Sequence, residues 1–154
     1  MKKYKQIFLL LSLCLSAGAV SAQLHSDQII QTTLNKMQVI NKNLRVVEKT
    51  FADIIFVSDS AITDNRMYKH TFSSSNTYHL NAFAVGDDVS DLNIIIVNSP
   101  KTGKPKVVAT DDMTGNDVSI KFEPAESGTY YVFVSGKLKS GVNNCFFNLI
   151  IDRE

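Results

Sequence analysis

Hydrophobic and polar residues alternate along this chain in three successive rhythms. Ile7 to Leu15 is apolar apart from Ser12 and Cys14. From Ile30 the apolar positions Leu34, Met37, Ile40, Leu44, Val47, Phe51 and Ile54 follow at spacings of three and four, with Gln31, Asn35, Lys36, Lys42, Arg45, Glu48 and Lys49 off that stripe. From Arg66 onward the apolar positions come in short alternating runs separated by clusters of Gly, Pro, Ser, Asn and Asp. A period near 3.6 gives a helix one apolar face, and a period of two gives one to a strand. The pattern therefore predicts an amphipathic helix followed by a series of strands.

The first rhythm reads as a secretory signal rather than as part of the fold. Lys2, Lys3 and Lys5 precede the apolar run, and the small residues Ser16 to Ala22 follow it, ending Val20-Ser21-Ala22. Charged, apolar and small-residue segments in that order mark a cleaved leader, and the expected mature terminus is Gln23. The run is shorter than the ~20 residues that span a bilayer, so no transmembrane anchor is expected after processing. Cys14 lacks the small preceding residue that lipid attachment resembles, because Leu13 is large. The expected location is periplasmic or secreted.

Removing 22 of 154 residues leaves 132, the size of one domain. The three lysines leave with the signal and no acid does, so 16 basic residues become 13 against 15 acidic. No basic patch with interleaved aromatics remains, and nucleic acid is not an expected partner. Cys145 is then the single cysteine, which excludes an intramolecular disulfide even in an oxidising compartment. It alternates with Phe147, Leu149 and Ile151 and is expected to pack as a small hydrophobe.

For the second rhythm, Ser26 with Asp27 offers an N-cap. The far end stays open, because Ile54 to Val57 is β-branched and aromatic and equally fits the start of a strand. The apolar stripe fits three roles: packing on the body's own sheet, a self-associating or partner-binding face, or a membrane-surface helix. The last lacks the Lys/Arg-rich polar face and Trp that such helices carry.

The third rhythm predicts seven strands: 67–72, 77–85, 91–98, 106–110, 117–123, 129–135 and 144–152. Ser73 to Asn76 reads as the turn of a hairpin joining the first two. Asp91 to Asn98 is apolar on both faces at its centre and is expected inside a sheet rather than at its edge. Near-regular strands without intervening helices predict a mainly β fold, an antiparallel jelly-roll-like sandwich with an N-terminal amphipathic helix. The expected domains are 1–22 as signal peptide, 23–65 as amphipathic helix and connector, and 66–154 as sandwich. Tyr130, just after the Gly128 turn, is expected to pack inward while its hydroxyl reaches a loop backbone group, as in a tyrosine corner. Tyr131 and Phe133 take the opposite face, either exposed or under the helix.

The residues Tyr78-His79-Leu80, Gly86-Asp87, Asp91-Leu92-Asn93-Ile94, Asp111-Asp112, Phe122-Glu123-Pro124 and Ser127-Gly128-Thr129-Tyr130-Tyr131-Val132-Phe133-Val134 together resemble the bacterial pre-peptidase C-terminal domain. The likeness spans about residues 66–152. It implies a jelly-roll-like sandwich of exported proteins, acting as a non-catalytic accessory or binding module. Two features depart from the family: no catalytic domain is attached, and the amphipathic helix is not part of its pattern. Some collagen-binding relatives use calcium through an acidic linker before the domain, whereas here Asp53, Asp59 and Asp64 are scattered.

Candidate chemistry is sparse. His25, His70 and His79 sit in unrelated contexts, no Gly-x-Ser-x-Gly nucleophile elbow is present, and no histidine pair has zinc spacing. The acidic turns are the exception. Asp87, Asp88 and Asp91 lie at one turn, and Asp111, Asp112 and Asp117, with Asn116, at another. Carboxylates from two loops supply the oxygens that Ca2+ takes, and Asp and Asn equally cap turns by bonding local backbone. The expected function is an exported non-catalytic module for an unknown protein or glycan ligand outside the cytoplasm. The alternatives are a structural or assembly protein that associates through its helix and, more remotely, an enzyme.

Overall fold

The computed structural model describes residues 30–43, 45–56, 65–86, 88–99, 103–111 and 113–154. The signal segment, Ser26, Asp27 and Leu44 lie outside them. Helix α1 covers 30–42. The strands are β1 (Val46–Phe56), β2 (Arg66–Phe72), β3 (Tyr78–Ala84), β4 (Val89–Asn98), β5 (Lys106–Thr110), β6 (Asp117–Phe122), β7 (Gly128–Leu138) and β8 (Asn144–Arg153).

The strands form two four-stranded antiparallel sheets, β1-β8-β3-β6 (sheet I) and β2-β7-β4-β5 (sheet II). This is the winding of an eight-stranded jelly roll. Leu80 and Ala82 of β3 and Leu149 and Ile151 of β8 meet Leu92, Ile94 and Ile96 of β4 and Val132 and Val134 of β7, all fully buried. As expected, β4 is interior, paired with β7 on one side and β5 on the other.

Two sequence expectations are corrected. The helix does not run to Ile54: it stops at 42, and β1 pairs with β8 from Val46↔Arg153 to Phe56↔Asn144. The sandwich therefore begins at Val46 rather than at Arg66 and has eight strands among the described residues. A bulge between Val47 and Lys49 shifts the phase of β1. Val47 consequently packs toward α1, while Phe51 and Ile55 pack toward the core. Alternation interrupted by a bulge reproduces the three-and-four spacing of a helix, and the β-branched run Val46-Val47 favours the strand. The hairpin at Ser73 to Asn76 is the second correction. β2 pairs with β7 and β3 with β6 and β8, so this turn carries the chain from one sheet to the other. Turn residues specify a reversal and leave open the partner of each strand.

Helix α1 docks on the outer face of sheet I. Ile40, 2% exposed, packs on Phe83 and Ile150 with Met37 and Val47 beside them. Asn148 Nδ2 donates to Thr33 Oγ1 (2.8 Å). Lys36 pairs with Asp117 and sits 5.6 Å from the Phe83 ring centroid. Beyond the helix, Arg45 Nε is 3.2 Å from Asp152 Oδ1, on a carboxylate that is fully buried. Met37 and Ile40 of the stripe pack on the body in this way, while Ile30 and Leu34 of the stripe, and Val39 off it, stay exposed.

Candidate binding face and acidic turns

The two lateral sides of the sandwich differ. Where the β1 and β2 edges meet, side chains latch the sheets together: Tyr68 Oη donates to Asp53 Oδ2 (3.0 Å), Arg66 Nε donates to the Ile54 carbonyl (2.7 Å), and His70 Nε2 lies 3.1 Å from Glu48 Oε2. Burial, with Asp53 adding to it, pushes the Tyr68 phenol above its usual range. On the β5 and β6 side a groove of about 430 Å³ opens, lined by Val107, Val108, Phe122, Glu123 and Tyr130 among others.

One end of the core is aromatic. Phe72, Tyr78, Phe122 and Tyr130 meet edge to face at centroid distances of 4.7 to 5.6 Å. Tyr130 is 2% exposed and its hydroxyl donates to the Glu126 carbonyl at 2.8 Å, the tyrosine-corner role expected of it. Tyr78 Oη accepts from Ser73 N–H (2.9 Å) and secures the turn between the sheets in the same way.

Helix α1 covers sheet I, and among the described residues no element lies over the outer face of sheet II. Residues at even positions of β7 point inward, so Tyr131 and Phe133 point out. The ladder places Met67 beside Phe133 and Phe133 beside Ile95, with Thr110 next across the sheet. The adjacent row is Lys69, Tyr131 and Val97. Met67 is 58% exposed and the central residues are half-buried by one another. Thr71, Thr129, Ser135 and Asn93 border these rows. An apolar centre with a polar border is the anatomy of a recognition surface. Sequence alternation located Tyr131 and Phe133 on this face; their partners Met67 and Ile95 emerge only from the register.

The acidic residues are used locally. Asp87 and Asp112 lie outside the described residues. Asp91 Oδ1 accepts from Gly115 N–H (3.3 Å) and Oδ2 from Asn93 Nδ2 (3.3 Å). Gly115, at φ +147°, also accepts from Leu92 N–H through its carbonyl (2.6 Å). Asp111 Oδ2 accepts from Ile94 N–H while Asp111 N–H donates to the Ile94 carbonyl (3.1 Å), so its carboxylate replaces a backbone acceptor in the ladder. Asp111 Oδ1 is buried without a hydrogen-bond partner. Asp91 and Asp111 thus fasten the β5–β6 loop to β4. Asp117 sits apart, on Lys36, and the Asp88 carbonyl accepts from Lys139 N–H (2.9 Å). Among the described residues no group of three or more His, Cys, Asp or Glu side chains is arranged to hold a metal ion.

The potentially reactive groups are separated. His70 is in the β1–β2 latch, and His79 Nε2 is 2.8 Å from Glu154 Oε1 on the outer side of sheet I. His25 lies outside the described residues. Cys145 is 1% exposed; burial, with Asp88 adding to it, pushes its thiol up to about 11. No described helix is long and apolar enough to cross a membrane.

The described residues form a jelly-roll β-sandwich carrying a docked helix. Among solved structures it is similar to the pre-peptidase C-terminal domain of collagenase from Bacillus anthracis, at 14% identity, covering 68% of this chain and 89% of that chain, with a TM-score of 0.45. That is the family whose residue pattern this sequence resembles. No family model and no curated protein matches the chain.

Proposed function

We propose that this protein is an exported, non-catalytic binding module that presents the outer face of sheet II to a protein or glycan ligand outside the cytoplasm. The uncovered rows Met67–Phe133–Ile95 and Lys69–Tyr131–Val97 carry the reading. Aromatic and aliphatic side chains on a rigid sheet offer contact area at little conformational cost, and Lys69 adds a charge at the border. The separated histidines and the buried, protonated Cys145 support a role without catalysis. The leader-like residues 1–22 support export.

The test is retention on insoluble polymers: chitin, cellulose, peptidoglycan sacculi and gelatin-agarose. Wild type is expected to deplete from solution onto at least one of them, and Tyr131→Ser with Phe133→Ser is expected to abolish this while the fold melts cooperatively. Retention that survives the double substitution refutes the assignment.

A further inference from the structure

Strand β6 is an outer strand of sheet I, and among the described residues no strand pairs with its second edge. Its ladder to β3 runs without a bulge from Tyr78↔Phe122 to Phe83↔Asp117, and the Asn116 carbonyl accepts from Ala84 N–H (2.8 Å) at the end. Bonded positions alternate in an antiparallel ladder. Asn116, Val118, Ile120 and Phe122 therefore face β3, and Asp117, Ser119 and Lys121 turn their N–H and C=O groups to the open edge. Such an edge is a template for another strand. The other edges are protected: β1 and β2 are latched together, and β5 is five residues long, bulged at Val108, preceded by Lys104 and opened by Lys106.

The open edge is complementary to itself. When two copies run antiparallel with Ser119 opposite Ser119, Asp117 of each lies opposite Lys121 of the other. Both side chains point outward, with 49% and 58% of their surface exposed. The intrachain partners, Lys36 for Asp117 and Glu123 for Lys121 at 3.3 Å, are exposed pairs that rearrange at little cost. The arrangement is two-fold and closed, the same residues serving on both sides. Val107 and Val108, 56% and 41% exposed, line the groove with Phe122 along this side and would be covered by the second copy.

We propose that β6 is a self-association edge, through which two copies pair antiparallel and join their four-stranded sheets into one. The outer face of sheet II stays open in this dimer, so the two proposals stand or fall separately.

Sedimentation velocity on the purified protein tests it, with melting curves confirming that each variant is folded. Wild type is expected to dimerise with rising concentration. Lys121→Asp and Asp117→Lys each place like charges opposite one another and are expected to weaken self-association about tenfold or more. Mixed one to one, the two variants regain opposite pairs and are expected to form a heterodimer within a few-fold of wild-type affinity. A wild type that remains monomeric up to about 0.2 mM, or a dimer indifferent to both substitutions, overturns the proposal. So does a dimer lost in Leu34→Ser and kept in Lys121→Asp, which would place the contact on the helix.

Discussion

If α1 is an integral part of the fold, Ile40→Ala should destabilise the whole domain. Ile40 is 2% exposed between Phe83 and Ile150, themselves 1% and 0% exposed. Truncation removes three carbons from contact, about 2.4 kcal/mol at roughly 0.8 kcal/mol per buried methylene. A residual cavity adds to this, and Ile→Ala at core sites costs about 2–5 kcal/mol. One wall of this site is a helix that can settle toward the sheet, which holds the value near the lower end, about 2–3 kcal/mol. In a domain of this size each kcal/mol is about 3 °C, so the expected fall in Tm is roughly 6–9 °C. Urea unfolding followed by circular dichroism should give one transition with a lower midpoint and an unchanged slope. Val39→Ala, at a position 54% exposed on the same helix, should stay within about 0.5 kcal/mol. An Ile40→Ala protein that melts within about 1 °C of wild type would show that helix and sandwich do not unfold together.

Tyr130→Phe removes the bond to the Glu126 carbonyl and leaves the ring in place, so it should lower stability by about 1 kcal/mol in the same unfolding assay. Asp152 is held above the usual carboxylate range, chiefly by burial, against the opposing effects of Arg45, His79 and Asn81. The native state therefore keeps this proton to higher pH than the unfolded chain, and the contribution of Asp152 to stability declines as pH rises from the unfolded carboxylate value to the native one. Asp152→Asn should lack that decline, so its Tm relative to wild type should rise across this window and level off above it; a pH-independent difference would contradict the assignment. Excess Ca2+ should move the wild-type Tm by less than about 1 °C compared with a chelated sample, because Asp91 and Asp111 are engaged with backbone N–H groups. A rise of several degrees, lost in Asp91→Asn, would establish a cation site instead.

Strands β2, β4, β6 and β7 were legible because burial alternates along them with the period of two, whereas the exposed β5 and the doubly buried β8 were marked by the turn clusters that flank them. Tyr130 was legible for a local reason: its hydroxyl finds a carbonyl four residues away, within the same turn. The helix end was hidden by the bulge in β1, which gave Val47 and Phe51 a helix-like spacing. The path of the Ser73–Asn76 turn was hidden because strand pairing is non-local. Phe72 and Tyr78 both enter the core, yet they do so from different sheets. The acidic turns showed their composition and not their geometry: nothing in Asp111 itself says that its carboxylate stands in for a backbone carbonyl beside Ile94. The binding face needed two facts from the fold, the register that gathers Met67, Phe133 and Ile95, and the choice of sheet I by the helix.

The position of β8 governs when sheet I can close. It lies between β1 and β3, so the earliest strand of sheet I has no neighbour until Asn144–Arg153 arrives. In a chain made from its N-terminus β1 therefore waits without a partner, and its pairing with β8, the contact of greatest sequence separation in the sheet, forms last and slowly. The winding of the jelly roll thus makes closure of sheet I wait for its last strand, while sheet II, which lacks β8, is free to form earlier.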